Sequence, residues 1–213
     1  MSNTLHYIFD PLCGWCYGAG AVVAKVADLP GLQLKLWPCG MFSGAGSRAM
    51  DDAFAAYAWA NDQRIAQLTG QPFSERYRSH VLGDRQQRFD SGPLSLALTA
   101  VALTAPAHEV RALKSLQHAR YVNGEDVTST AHVAQCLQGL GLAQAAQCLR
   151  DGGAALHAAH TARTQQAQHW LQQLGVRGVP AFMLEHDDGR GELLPSALLF
   201  SDPDAWMAQL PAA

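Results

Sequence analysis

Short alternating stretches at the two ends of the chain enclose a long middle in which apolar residues recur every three to four positions. Leu5-His6-Tyr7-Ile8-Phe9 is rich in aromatic and β-branched residues and stops at the turn pair Asp10-Pro11, so it reads as a strand. Ala19, Val22, Val23 and Val26 fall at i, i+3, i+4 and i+7, the apolar stripe of a helix that ends before Pro30-Gly31 and places Cys13 at its N-terminus. Leu32 to Trp37 alternates apolar with polar residues, a second strand with one buried face, closed by Pro38. Strand, helix and strand make one βαβ unit.

The period changes after about residue 42. From Ser47 to about Gln173 the apolar positions form helical stripes: Leu94, Ala97, Leu98 and Val101; Val133, Cys136, Leu137 and Leu140; Ala167, Trp170, Leu171 and Leu174. Breakers at Gly70-Gln71-Pro72, Ser91-Gly92-Pro93, Ala105-Pro106, Asn123-Gly124 and Gly152-Gly153 divide this block into several helices. Strand character returns at Val179 to Leu184, followed by a hairpin-type turn at Asp187-Asp188-Gly189-Arg190 and a short strand, Glu192-Leu193-Leu194. Asp202 suits an N-cap and Pro203 the first position of a last helix whose apolar side holds Trp206 and Leu210. The expected architecture is α/β. Residues 1–42 and 174–213 share one small sheet, and residues 43–173 form a helical insertion packed on it.

Composition narrows the function. Of 213 residues, 48% are hydrophobic and 15% charged, and no apolar run approaches the ~18 residues of a membrane span, so a soluble globular protein is expected. Fifteen basic residues against eighteen acidic ones leave no electrostatic footprint for a polyanion, which excludes nucleic acid as the main partner. Met1-Ser2-Asn3-Thr4-Leu5-His6 has no basic leader region and the apolar stretch after it is short, so a cytoplasmic location is expected, where thiols are held reduced.

Five scattered cysteines do not suit a disulfide-stapled fold, yet two of them stand as Cys13-Gly14-Trp15-Cys16 at a strand-to-helix junction. Thiol-disulfide exchange needs a thiolate, a second thiol to resolve the mixed disulfide, and access for a substrate. Unsatisfied N–H groups at a helix start stabilise a thiolate at Cys13, the expected nucleophile. Cys16, one turn further in, is the expected resolving thiol, and Trp15 offers substrate an apolar platform. A zinc site would need two further ligands at matching spacing. Cys39, Cys136 and Cys148 are isolated, so no metal is expected.

Asp10-Pro11-Leu12-Cys13-Gly14-Trp15-Cys16-Tyr17-Gly18, together with Val179-Pro180 opening a later strand, resembles the DsbA family of thioredoxin-fold proteins, in particular its cytosolic members described as disulfide isomerases. The resemblance extends over essentially the whole chain, since that family also carries a helical domain after its βαβ unit. It implies a thioredoxin-like fold with an inserted all-helical domain and thiol:disulfide exchange with protein substrates. Cys13 and Cys16 would be the redox pair. A cis Pro180 would lie against it, with the Val179 backbone pairing with an extended substrate. No cofactor is implied, although glutathione would serve as a reducing partner. Gly14-Trp15 replaces the Pro-His of the periplasmic oxidase, which leaves the direction of electron flow open. Two other readings keep the fold: a glutathione-dependent transferase or isomerase of the kappa type, whose members usually carry Ser where Cys13 stands, and a redox-switched binding protein without turnover.

Several other residues have plain readings. Asp10 could relay a proton to Cys16, but a turn-capping role at Asp-Pro is at least as natural. Cys39 is expected as a buried small hydrophobe rather than a third redox thiol, and Cys136 and Cys148 as core. Gly44-Ala45-Gly46-Ser47-Arg48-Ala49 fits a dinucleotide fingerprint only superficially, because it does not directly follow a strand. His157 and His160 are expected as solvated histidines, and Arg76, Arg78, Arg85 and Arg88 as a solvated face.

Overall fold

The computed structural model describes residues 3–211, so Met1 and Ser2 of the expected leaderless start lie outside the described residues. β1 (Asn3–Phe9) is buried on both faces, with Leu5, Tyr7, Ile8 and Phe9 inaccessible, the mark of a central strand. The stripe after it forms two helices rather than one: α1 (Gly14–Gly18) and α2 (Gly20–Ala27), joined at Ala19. The tight approach of α1 to a later helix accounts for Gly18, where a Cβ would come within 2.7 Å of Ile65 Cγ2.

β2 (Leu32–Pro38) runs parallel to β1, Asn3 opposite Leu32 and Phe9 opposite Pro38, so Pro38 belongs to the strand that it was expected to close. A two-residue strand, β3 (Arg48–Ala49), precedes the first helices of the middle block, α3 (Asp52–Thr69) and α4 (Glu75–Tyr77). β3 pairs antiparallel with β4 (Arg88–Phe89), a ribbon too short to leave a periodic signal in the sequence. The block continues with α5 (Gly92–Thr104), α6 (Glu109–Tyr121), α7 (Thr130–Gly139), α8 (Ala143–Asp151) and α9 (Ala154–Gln173). Four of the five proposed breakers fall between helices, whereas Ser91-Gly92-Pro93 opens α5, with Ser91 as its N-cap and Gly92 and Pro93 in its first turn. α5 is its axis: Leu94, Ala97, Leu98, Ala100 and Val101 are all inaccessible, so this helix is apolar nearly all round and packs against α6, α7, α8 and α9.

The return to the sheet is made by β5 (Ala181–Glu185) and β6 (Gly191–Leu194), giving the order β2-β1-β5-β6 with β5 antiparallel to β1 and β6 antiparallel to β5. α9 is docked beside the sheet by Trp170, whose ring meets Trp37 at 4.8 Å and His6 at 4.6 Å. A short α10 (Ser196–Ser201) precedes the expected last helix, α11 (Pro203–Met207). Asp202 caps α11 by accepting from Ala205 N at 2.9 Å, and Trp206 and Leu210 are buried.

Candidate active site

The loop after β1 is held by Asp10. Its side chain, wholly buried, accepts from Leu12 N at 2.9 Å, Phe42 N at 3.0 Å and Ser91 Oγ at 2.7 Å, while its carbonyl accepts from Cys13 N at 3.0 Å. Burial raises the carboxyl pKa, against the pull of those hydrogen bonds. This is the capping role. Two helical-block side chains grip the same loop: Tyr121 Oη donates to Leu12 O at 2.8 Å, and Gln117 Nε2 to Pro11 O at 3.4 Å.

Cys13 is the N-cap residue of α1, with extended backbone, and is 8% exposed; Cys16 is 1% exposed. Both are free thiols. Burial, then the hydrogen bond to Cys13, pushes the Cys16 thiol well above its ordinary range. Tyr7 Oη donates to Cys16 O at 3.1 Å and ties α1 to β1. The structure also brings the strand start to the pair: Cys13 Sγ donates to Val179 O at 3.6 Å, and the Val179-Pro180 peptide is cis. Trp15 is half-buried. It meets Phe200 edge-on at 4.9 Å, with Arg64 5.9 Å from its ring.

Beside Cys13 and Trp15 opens a pocket of about 210 Å³ walled by Phe42, Phe54, Phe89 and Tyr121. Among its polar lining residues is Asp62 of α3, 5% exposed, which accepts from Tyr77 Oη at 2.9 Å. Asp62 Oδ1 lies so close to α1 that a Cβ on Gly14 would come within 2.4 Å of it, which explains a glycine between the two cysteines. Behind the wall is Arg120, 1% exposed, its guanidinium 5.3–5.7 Å from the rings of Phe89, Tyr77 and Tyr121. Sequence reasoning missed Asp62, Tyr77 and Arg120. They come from three separate helices, and only packing joins them.

Burial pushes the Asp62 carboxyl from about 3.8 up to about 7, opposed by the Tyr77 hydrogen bond and the Arg120 charge. The folded protein therefore holds this proton more tightly than the unfolded chain. The associated stability is complete below about pH 4 and is lost as pH rises through about 7, by up to about 4 kcal/mol. Urea unfolding of the wild type is expected to show this loss between pH 4 and 7, and Asp62→Asn to flatten it. Equal pH slopes in the two proteins would contradict the assignment.

The remaining residues sort clearly. Cys39 is buried among Ile8, Ala167 and Ala181, and burial followed by the Asp10 charge pushes its thiol up to about 12, in keeping with a packing role. Cys136 and Cys148 depart from expectation: both are half-buried at the edge of the core, and Cys136 faces polar partners. His157 is exposed as expected, but His160 is half-buried, 3.4 Å from Thr99 Oγ1, because α9 turns that face toward α5. Arg85 pairs with Asp52, Arg78 with Glu75 and Arg88 with Ser47, an exposed polar face. Gly44–Gly46 is a single 3₁₀ turn.

A family model described as a DSBA-like thioredoxin domain matches residues 4–200. Among solved structures, the cytosolic disulfide reductase DsbM from Pseudomonas aeruginosa is 33% identical with a TM-score of 0.86, covering 97% of this chain and 96% of that one. The same reductase solved with glutathione is matched at 31% identity and a TM-score of 0.83, over 97% and 96% of the two chains. A 2-hydroxychromene-2-carboxylate isomerase, 17% identical with a TM-score of 0.58 over 97% of this chain and 95% of that one, shares the fold. No curated protein sequence matches. The fold is the expected thioredoxin-like one with a helical insertion, and the chain belongs to the family of DSBA-like thioredoxin domains.

Proposed function

We propose that the protein is a thiol:disulfide oxidoreductase acting as a disulfide reductase, with Cys13 as nucleophile, Cys16 as resolving thiol and glutathione as thiol partner. The observation that carries this is the asymmetry of the pair. Cys13 stands at the helix start and the pocket mouth, whereas Cys16 is sealed behind it and held as a thiol. The likeness to DsbM, described as a cytosolic disulfide reductase and also solved with glutathione, supports the direction, the compartment and the partner.

The Cys13 thiolate attacks one sulfur of R–S–S–R′, and the R′ thiolate leaves and takes up a proton. Cys16 then gives up its proton and attacks the Cys13 sulfur, releasing the R thiolate and leaving a Cys13–Cys16 disulfide. Two electrons have passed to the substrate, and two glutathione thiols restore the pair as one oxidised glutathione. The Val179 backbone and Pro180, beside Cys13, hold the substrate in extended form, and the ring of Trp15 flanks it. A pocket of about 210 Å³ takes the group next to the scissile sulfur, a peptide side chain or one end of glutathione, and not a folded surface.

Oxidised glutathione offered to Cys16→Ser is expected to leave one glutathione on Cys13, seen as a mass adduct that is absent when Cys13 is also replaced. No adduct, with reduction by the wild type intact, would overturn the assignment of roles. Transfer of glutathione to a small electrophile without disulfide reduction would favour the kappa-type transferase reading instead.

A further inference from the structure

Outside the redox pocket, a second cluster of side chains has the composition and spacing of a metal site. We infer that Glu125, His132 and Cys136 together bind a divalent cation of the zinc type, with water completing the coordination.

His132 and Cys136 stand four apart on α7, so both side chains leave the same face of the helix. The start of that helix is set by Ser129, whose Oγ accepts from His132 N at 3.3 Å. Glu125 comes from the α6–α7 loop, which is pinned back onto α6 by a hydrogen bond from Glu125 N to Ala119 O at 2.9 Å. Asn123 Nδ2 donates to Glu125 Oε1 at 2.8 Å and thereby aims Oε2 at the other two residues. That is how a ligating carboxylate is held by an outer partner.

The three donor atoms lie within 4.8 Å of one another. Cys136 Sγ is 3.5 Å from His132 Nε2 and 3.8 Å from Glu125 Oε2, and His132 Nε2 is 2.8 Å from Glu125 Oε2. Zinc bonds of about 2.0–2.3 Å in a tetrahedron put ligand atoms about 3.3–3.7 Å apart. The Cys136–His132 edge falls in that range and the Cys136–Glu125 edge within about 0.1 Å of it, so the main change is that the His132–Glu125 hydrogen bond opens, by about half an ångström. Thiolate and imidazole select zinc over magnesium or calcium, which prefer oxygen alone. All three residues are half-buried, which leaves a path for the ion and room for water. An ordinary His–Glu ion pair explains one edge of this triangle but gives the sulfur no reason to face both partners.

The test uses the full chain carrying Cys13→Ser and Cys16→Ser, so that the redox pair cannot hold metal, and probes it with zinc alone and then cobalt alone. One zinc per chain is expected to resist a chromophoric chelator, and the cobalt form to show a thiolate-to-metal charge-transfer band. Added Cys136→Ser is expected to remove that band. Cys136→Ser and His132→Gln are each expected to weaken zinc binding by at least about tenfold. Cys148→Ser, at the other half-buried cysteine, is expected to change neither. Absence of zinc binding in this background, or binding indifferent to both Cys136→Ser and His132→Gln, would overturn the inference.

Discussion

Cys13→Ser is expected to bring disulfide reduction down to the rate of the uncatalysed control, a loss of at least about 10³-fold, with the fold intact. A serine hydroxyl at this position stays protonated near neutral pH and cannot displace a thiolate from a disulfide. The substitution is nearly isosteric and Cys13 lines the open pocket, so thermal stability should change little. Coupling glutathione oxidation to reduction of a small mixed disulfide measures the effect directly. Activity within severalfold of wild type in Cys13→Ser would remove Cys13 from the mechanism and the proposed function with it.

Trp206→Ala is expected to cost about 3–5 kcal/mol, the range for emptying a buried aromatic site. Trp206 is inaccessible and packs on Phe182 of β5 at 4.8 Å, so it joins α11 to the sheet that carries the redox loop. For a chain of this size that loss lowers the melting temperature by roughly 10 °C. Its indole Nε1 has no hydrogen-bond partner among the described residues, so Trp206→Phe gives up volume without breaking a bond seen there and should cost only about 1 kcal/mol. Similar melting temperatures for the alanine and phenylalanine variants would show that α11 does not support the sheet through this ring.

Much of the fold was legible in the chain because its signals are local. The alternation of Leu32 to Trp37, the stripe of α5 and the cap at Asp202-Pro203 each depend on neighbours a few residues away. Signals failed where packing overrode them. Tight contact between α1 and α3 accompanies the division of one apolar stripe into α1 and α2, and the two-residue strands β3 and β4 pair where Phe89 packs against Phe42 and Phe54. Cys136 shows the same limit. Its stripe position suggested core, yet the loop before α7 brings Glu125 over it.

By itself the sequence determined the four strands of the main sheet in chain order, the helical character of the insertion between them and the Cys13–Cys16 pair at a helix start, because periodicity, caps and motif spacing are properties of short segments. Only the tertiary structure decided what surrounds that pair. Tyr121 reaches Leu12 from 109 residues away and Val179 reaches Cys13 from 166, while Asp62, Tyr77 and Arg120 meet beside the pocket from three helices. Burial and pairing of this kind arise from long-range packing, which leaves Cys13 8% exposed on the pocket wall and Cys16 1% exposed behind it, with its thiol pushed up.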